Sequence, residues 1–178
     1  GVVTGICCQI RGEVVIDGTA SHAGTTPMDL RKDALAAAAE CMLEIEDEAK
    51  NYPQAVATVG KIEAFPGGVN VVPGQVKFSI DMRNQKAALR DAMFDKCVER
   101  MKAVCEKRGV KMEVKVLMKD DEGKPCADHI QDIVAESCEK AGLPVFKMPS
   151  GAGHDSSTFA DFCPMGMIFV RSKDGLSH

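Results

Sequence analysis

The chain has 178 residues, a formal net charge of −4 at pH 7 and an apolar fraction of 45%, which suits a globular protein of one domain or one and a half. A single Tyr, no Trp and the lack of a basic run argue against a nucleic-acid-binding surface. No stretch of about 18 apolar residues is present, which argues against a membrane span.

The cysteine pattern indicates reduced thiols. The eight cysteines form no C-x-x-C pair, so a structural zinc site is not indicated. Half of them fall in helix-like stretches, where a free cysteine behaves as a small apolar residue. We therefore expect a cytoplasmic protein. The chain begins at Gly1 without a starting Met or a signal-peptide pattern, which suggests the middle of a longer protein.

The first predicted elements are a strand over 10–18 and a long helix over 27–50, joined by a polar loop. Thr26 followed by Pro27 is typical of a helix N-terminus, with a hydroxyl at the N-cap and proline in the first turn. The helical pattern predicts one buried face made of Leu35, Ala38, Ala39, Met42, Leu43 and Ile45.

Two more strands are predicted over 55–64 and 75–83, then a helix over 86–108 ended by Gly109, and a strand over 110–117. The order from 10 to 117 is therefore β-α-β-β-α-β, the ferredoxin-like arrangement. It places two helices on one face of a four-stranded antiparallel sheet. The other face stays free for a partner or a second domain.

The pattern changes after a charged hinge at 120–125. A helix over 127–141, a strand over 144–147 and a helix near 155–162 are predicted next. The continuous apolar run 166–171 is typical of a strand covered on both faces in an α/β sheet. We therefore expect a second, α/β unit in this part of the chain.

Several loops carry residues with more than one interpretation. His22, His154 and His178 lie among small residues that let a backbone approach a ligand, whereas His129 begins an exposed helix and is interpreted as a surface residue. His22 could equally bond a neighbouring carbonyl. At His154 the alternatives are an anion site at a helix N-terminus and a capping Asp155 beside an incidental histidine.

Asn70 and Arg83 are also ambiguous on spacing alone. Asn70 follows Pro-Gly-Gly-Val and is a common type of turn residue. Arg83 ends a strand on its polar side, where a solvated charge is the usual case. A planar guanidinium is nevertheless the group best matched to a substrate carboxylate.

Six stretches together resemble one family. They are Gly1 to Val3, His22 to Met28, Pro66 to Pro73, Asp81 to Arg83, Ser150 to Asp155, and Gly166 to Arg171 followed by Gly175 to His178. The chain resembles the N-carbamoyl-L-amino-acid hydrolases, allantoate amidohydrolases and β-ureidopropionases of the dinuclear-metal aminoacylase and peptidase group. The resemblance implies a ferredoxin-like lid over 10–117 that forms a homodimer. This lid is inserted in an α/β zinc-peptidase-like catalytic domain, to which 1–9 and 118–178 correspond in part.

The resemblance also implies roles for individual residues. His178 matches a metal ligand, and His22 matches the lid histidine that enters the partner subunit's site and stabilises the developing oxyanion. Asn70 and Arg83 match residues that hold a substrate carboxylate. Gln9, Gly151 and His154 match residues near the substrate.

The implied reaction is the hydrolysis of a linear amide or ureido C–N bond in N-carbamoyl-amino acids or allantoate, assisted by two divalent ions, zinc or manganese. The family's other metal ligands and its general-base Glu correspond to positions before residue 1. We therefore expect the 178 residues alone to be inactive and to bind no metal tightly. Two alternatives stay open: a dimerisation module without chemistry, and an aminoacylase or metallopeptidase with another substrate.

Overall fold

The computed structural model describes residues 1–176, which form three α-helices and three sheets, one of five strands, one of three and one of two. Its elements, in chain order, are β1 (Val2–Ile6), β2 (Cys8–Asp17), β3 (Ser21–His22), α1 (Ala34–Ala49), β4 (Val56–Thr58), β5 (Ile62–Phe65), β6 (Val71–Val72), β7 (Gln75–Asn84), α2 (Ala87–Arg108), β8 (Lys111–Lys119), β9 (Lys124–Pro125), α3 (Asp128–Lys140) and β10 (Lys147–Ser150). Short 3-10 turns lie at Met28–Leu30, Asp155–Phe159 and Lys173–Gly175. None of the helices in this part of the chain has the length and apolar character needed to span a bilayer.

The larger sheet has the predicted ferredoxin-like topology. Its strand order is β4–β7–β2–β8, with β5 pairing β7 on the same edge as β4. All of these pairings are antiparallel. The central strands β2 and β7 pair over ten residues, from Cys8 opposite Asn84 to Asp17 opposite Gln75.

The two helices α1 and α2 cover one face of this sheet, and the main core lies between them and the strands. Strict alternation along β7 turns four side chains into this core, as the sequence predicts; they are Val76, Phe78, Ile80 and Met82, all 0–1% exposed. On the core side of α1 the short side chains of Ala34, Ala37 and Ala38 are fully buried. The opposite face of the sheet carries no helix.

An ion-pair network joins α1 to α2 along the outside of the helical layer. The Arg100 guanidinium donates to the carboxylates of Glu44, Asp47 and Glu48. Glu48 is only 7% exposed because its carboxylate is turned toward Arg100. The side of α1 that faces α2 is therefore acidic, and it is matched by basic residues on α2.

The smaller sheet has the order β10–β1–β9, with β1 and β10 parallel and β9 antiparallel. It packs with α3 around a second apolar cluster that includes Val3, Ile6, Cys126 and Met165. The fully buried Arg90 of α2 holds the connection between β8 and β9, because its Nη1 donates to the carbonyl oxygen of Asp120 at 2.6 Å. The backbone amide of Gln9 donates to the Asp120 carboxylate at 2.9 Å.

The predicted start of the first helix is wrong, and its predicted buried face is right only for Ala38, Ile45 and the half-buried Met42. The helix begins at Ala34 rather than 27, because the Asp33 carboxylate accepts the amides of Leu35 and Ala36 and Arg31 has extended backbone angles. A 3-10 turn fills part of the gap. Three residues assigned to the buried face are exposed: Leu35, Ala39 and Leu43.

Four further segments differ from their predictions. The strand predicted over 55–64 is interrupted between β4 and β5, where the amide of Lys61 donates to the Ser79 hydroxyl while its carbonyl oxygen accepts the Ser79 amide. The strand predicted over 144–147 lies at Lys147–Ser150, and the helix near 155–162 is the 3-10 turn Asp155–Phe159. The run 166–171 makes one bridge, from Ile168 to Val2, and Val170 is 87% exposed.

Candidate functional site

The loop that carries His22 is fixed by backbone pairing. His22 lies in β3, opposite Val71 of β6, and the amide of Ala23 donates to the carbonyl oxygen of Asn70 at 2.9 Å. The structure therefore brings His22 and Asn70 together at one end of the larger sheet. We call this pair of residues the histidine end.

The ring of His22 is oriented by its own loop. The backbone amide of Gly24 donates to Nδ1 of His22 at 3.0 Å. An imidazole nitrogen that accepts a hydrogen bond carries no proton, so the proton of the neutral ring is on Nε2. His22 is exposed, and its Nε2–H can donate to a group outside the loop. The sequence-based alternative, a ring bonded to a neighbouring carbonyl, does not match this contact.

Arg31 holds the same loop from the other side. Its Nη2 donates to the carbonyl oxygen of Ala23 at 2.7 Å, and its Nε donates to that of Thr26 at 3.1 Å. The Thr26 hydroxyl donates to the carbonyl oxygen of His22 at 2.9 Å. Arg31 could not be predicted as a site residue from the sequence, because nothing in its local pattern separates it from a solvated charge.

Arg83 lies at the opposite end of the sheet, in a fork of hydrogen bonds. Its Nε and Nη2 donate to the two carboxylate oxygens of Asp81 at 2.6 and 2.8 Å, and its Nη1 donates to the carbonyl oxygen of Gly151 at 2.7 Å. Arg11 donates to Asp81 from the neighbouring strand at 2.9 Å. Arg83, Asp81 and Gly151 are here called the arginine end.

The charges at the arginine end stabilise one another. Hydrogen bonds from Arg83, and then from Arg11, hold the pKa of the Asp81 carboxyl below its usual value, although partial burial acts in the opposite direction. The Asp81 carboxylate in turn raises the pKa of Arg83. Asp81 was not predicted as a site residue, although the sequence holds a clue to it. Residues two apart on a strand lie on the same face of the sheet, so Asp81 and Arg83 bring opposite charges together there.

A groove of about 680 Å³ opens on the sheet face that the helices leave free. Arg83, Asp81 and Gly151 line it together with Val56 and Thr58 of β4. Because the groove combines apolar walls with a guanidinium, it has the character of a small-molecule site. The free face predicted from the sequence therefore carries a cavity.

Gln9 lies beside Arg83 in the strand register and lines a second cavity of about 360 Å³ with Cys7, Asp120 and Gly153. Its Oε1 is buried and has no hydrogen-bond partner among the described residues. A buried acceptor of this kind is costly unless a ligand or water satisfies it. Gln9 is thus available to accept a hydrogen bond from a ligand N–H.

His154 is exposed and acts as an N-cap. Its Nδ1 accepts the amide of Ser156 at 3.1 Å, at the start of the 3-10 turn Asp155–Phe159. The capping role proposed as an alternative for Asp155 therefore belongs to His154 itself. Gly151 and Gly153, in the same loop, reach the groove and the second cavity respectively.

The histidine end and the arginine end do not meet within one chain. In β7 they are separated by the eight residue steps from Gln75 to Arg83, which at about 3.4 Å per step corresponds to roughly 27 Å. Asn70 and Arg83, expected to bind one carboxylate, are therefore far apart in a single chain. Any site that uses both ends needs two chains.

The structure offers no complete metal centre in residues 1–176, where no three His, Cys, Asp or Glu side chains are close enough to hold a metal ion. His178, the residue predicted as a metal ligand, lies outside the described residues. The residues that are described therefore do not by themselves fit a dinuclear site.

Comparisons with known proteins agree with the geometry. The chain is 42% identical to an N-carbamoyl-L-amino acid amidohydrolase of Geobacillus stearothermophilus and 37% identical to an allantoate amidohydrolase of Escherichia coli K12, in each case over 100% of this chain and 43% of the relative. The crystal structure of AtUAH in complex with (S)-hydroxyglycine is 34% identical, with a TM-score of 0.87 over 99% of this chain and 42% of that one.

The chain spans less than half the length of these relatives. The resemblance to carbamoyl-amino-acid and allantoate amidohydrolases is confirmed by the identity over the whole of this chain. Residues 5–113, which include the helix-covered sheet up to the third residue of β8, match the family described as the peptidase dimerisation domain. The chain belongs to the peptidase dimerisation domain family.

Proposed function

We propose that this chain is part of a metal-dependent amidohydrolase that cleaves a linear amide or ureido C–N bond of an N-carbamoyl-amino acid or of allantoate. Residues 10–117 are the dimerisation lid, and residues 1–9 and 118–178 belong to the catalytic domain. The family match over residues 5–113 and the separate apolar cluster of the smaller sheet support this division.

Arg83 is proposed to bind the substrate carboxylate. The hydrogen-bond geometry of this residue is the main observation that supports the proposed function. Asp81 fixes the plane of the guanidinium, and Nη1 donates to a single backbone oxygen at the groove. A carboxylate that replaced the Gly151 oxygen would form a charge-assisted hydrogen bond with this nitrogen. The related AtUAH structures hold (S)-hydroxyglycine and glyoxylate, which are both small carboxylates.

His22 and Asn70 are proposed to act from the partner subunit. The Nε2–H of His22 would donate to the carbonyl oxygen that gains negative charge when the substrate carbon becomes tetrahedral, which lowers the barrier. Asn70 would add an amide contact to the substrate. Gln9 Oε1, buried without a partner in the described residues, would accept a ureido N–H, and His154 would border the pocket.

The proposed enzyme uses two divalent ions, zinc or manganese, with His178 as one ligand. Since residues 1–176 supply no cluster of three ligands, no reaction step at the metal is assigned to them. We further propose a cytoplasmic location, because all eight cysteines are free thiols, and protein disulfides are rare in that compartment.

Steady-state hydrolysis by the whole enzyme tests the role of Arg83. Lysine keeps the charge but loses the planar fork, so Arg83→Lys should raise KM for N-carbamoyl-L-amino acids or allantoate by roughly tenfold or more. Arg108→Lys, at a surface ion pair with Glu40, is the matched control and should leave KM unchanged. An unaltered KM in Arg83→Lys, or no hydrolysis of either substrate by the wild-type enzyme, would refute the proposal.

A further inference from the structure

The buried face of α2 contains one charged residue among apolar ones. Arg90 is 0% exposed, as are Met93, Cys97 and Met101, which follow it at helical spacing on the same face. Burial removes water from a guanidinium, so an arginine here costs more free energy than an apolar residue of similar size. The packing of the core therefore does not explain why this position holds an arginine.

The guanidinium of Arg90 binds two backbone oxygens that belong to different strands or strand ends. Its Nη1 donates to the carbonyl oxygen of Asp120 at 2.6 Å and to that of Gln9 at 3.4 Å. Gln9 lies near the start of β2, and Asp120 directly follows β8. The Nε of Arg90 donates to the carboxylate of Asp91 at 2.9 Å, which fixes the guanidinium on its own helix.

Gln9 and Asp120 also bind each other. The backbone amide of Asp120 donates to the carbonyl oxygen of Gln9 at 3.0 Å, and the backbone amide of Gln9 donates to the Asp120 carboxylate at 2.9 Å. This pair lies at the end of the larger sheet, where Cys7 is the one residue between β1 and β2. Arg90 thus reinforces the backbone at the point where the chain enters the larger sheet.

The backbone of Gln9 determines where its side chain points. Gln9 alternates with Cys8 and Ile10, which are both 1% exposed, so its side chain projects from the other face of β2. There its Oε1 is buried without a partner among the described residues, beside the cavity of about 360 Å³ that Gln9 lines. Arg90 is fully buried and does not line this cavity. Its influence on a ligand there has to act through Gln9.

The groups around Arg90 stay largely paired when its charge is removed. Asp91 also forms an ion pair with Lys119 at 2.8 Å, and the carbonyl oxygen of Gln9 keeps the amide of Asp120. The group that loses a charged donor is the carbonyl oxygen of Asp120. Buried charges can often be replaced by apolar residues of similar volume without loss of stability. We therefore expect Arg90→Met to fold.

We propose that Arg90 is a positioning residue of the proposed hydrolase: its guanidinium holds the backbone of Gln9 so that Gln9 Oε1 meets the substrate in the cavity of about 360 Å³. This inference rests on the proposed role of Gln9 as the acceptor of a ureido N–H. Arg90 touches no substrate atom, and its contribution to hydrolysis passes through Gln9. Loss of Arg90 should then matter only while the Gln9 side chain is present.

A double-mutant cycle in the whole enzyme tests this dependence through kcat/KM for an N-carbamoyl-L-amino acid or allantoate. Arg90→Met should lower kcat/KM by roughly tenfold or more, because small displacements of a substrate-binding group slow the reaction strongly. In a Gln9→Ala background the same change should lower kcat/KM by less than about twofold, because no side chain remains to be positioned.

Arg90→Lys keeps one charged donor and should recover part of the loss. It gives the same comparison between the two backgrounds if Arg90→Met does not fold. Lys96→Met is the matched control, because it removes a charge of α2 at an exposed ion pair with Glu99, and it should leave kcat/KM unchanged. Equal losses with and without the Gln9 side chain, or no loss in either background, would overturn the inference.

Amide hydrogen exchange in the 178-residue chain gives a readout that needs no hydrolysis. The amide of Asp120 donates to Gln9, so its exchange should be roughly tenfold faster or more in Arg90→Met, with an unchanged far-UV circular dichroism spectrum. An unchanged exchange rate would refute the role of Arg90 alone. A wild-type enzyme that hydrolyses neither substrate would refute the proposed function, and this inference with it.

Discussion

Arg31 carries the charge that holds the His22 loop in place. Its guanidinium joins two backbone carbonyls, of Ala23 and Thr26, that lie on either side of Gly24. Gly24 in turn orients the His22 ring through its amide. The proposed oxyanion donor is therefore positioned by a residue outside its own motif, and the loop should loosen when that residue is changed.

Replacing Arg31 tests this dependence directly. Arg31→Gln should cost about 1–2 kcal/mol of local stability, because both hydrogen bonds come from a charged donor. Amide hydrogen exchange at Ala23 should then be roughly tenfold faster or more. Lys32→Gln, at the exposed neighbouring position, should leave that rate unchanged. Equal exchange rates in the two variants would contradict the role given to Arg31.

Asp81 makes stability depend on pH in a defined direction. Its pKa in the folded chain is lowered, mainly by hydrogen bonds from Arg83. A lowered folded-state pKa adds stability above the unfolded-state pKa, and this contribution is lost as the pH falls through the folded-state pKa. Asp81→Asn should therefore reduce the free energy of unfolding by about 1–2 kcal/mol at pH 6.

The same difference should shrink as urea unfolding is repeated at lower pH, from about pH 5 to about pH 2. Glu46→Gln provides the comparison, because the Glu46–Lys50 pair is well exposed and should contribute little. A constant difference between wild type and Asp81→Asn over this range would show that Asp81 acts through packing rather than through its charge.

At the scale of elements, the C-terminus of α2 depends on one glycine. Gly109 has φ = 65°, and the amide of Val110 donates back to the carbonyl oxygen of Cys105 at 3.0 Å. Gly109→Ala should destabilise the chain by about 1 kcal/mol, because a side chain disfavours the left-handed conformation. Urea unfolding measures this cost.

The control is Gly60→Ala, where an added Cβ meets no heavy atom within 4 Å and no positive φ is required. That variant should stay within about 0.5 kcal/mol of wild type. At Gly109 the nearest atom to an added Cβ is Lys32 Cε at 3.8 Å, an ordinary contact. Destabilisation by Gly109→Ala therefore reports the backbone conformation and not a steric clash.

Most helices and strands of this chain can be predicted from the sequence, because the residues that specify each one lie within it or next to it. The alternation in β7 and the glycine after α2 specify their structures without knowledge of the partners. The start of α1 could not be predicted this way, because Thr26 and Asp33 are both competent N-caps. Tertiary contacts decide between them, since Arg31 must be extended to reach the His22 loop.

The candidate site was predictable only in part, for a related reason. Motifs identify His22, Asn70 and Arg83 as residues of interest, but a strand register is needed to show that they lie at opposite ends of a sheet. The apolar residues of α1 show the same limit. Helical periodicity assigns Leu35 and Leu43 to a buried face, and the single chain leaves them exposed.

At the scale of the whole molecule, the proposed site shared between two chains accounts for the separation of the two ends. Each site would take His22 and Asn70 from one copy and Arg83 from the other. A dimer then contains two such sites, and each copy contributes its histidine end to one site and its arginine end to the other. This arrangement makes a prediction about mixed dimers that a site within one chain does not make.

In the whole enzyme, His22→Ala and Arg83→Ala should each abolish most hydrolysis when pure. Subunit exchange between them should restore about one quarter of wild-type activity, because half of the dimers are mixed and each mixed dimer has one intact site. His22→Ala mixed with Asn70→Ala is the control. Both changes affect the histidine end, so every site stays defective and no activity should return. Recovery in the control, or none in the first mixture, would place all three residues at sites formed differently from the one proposed.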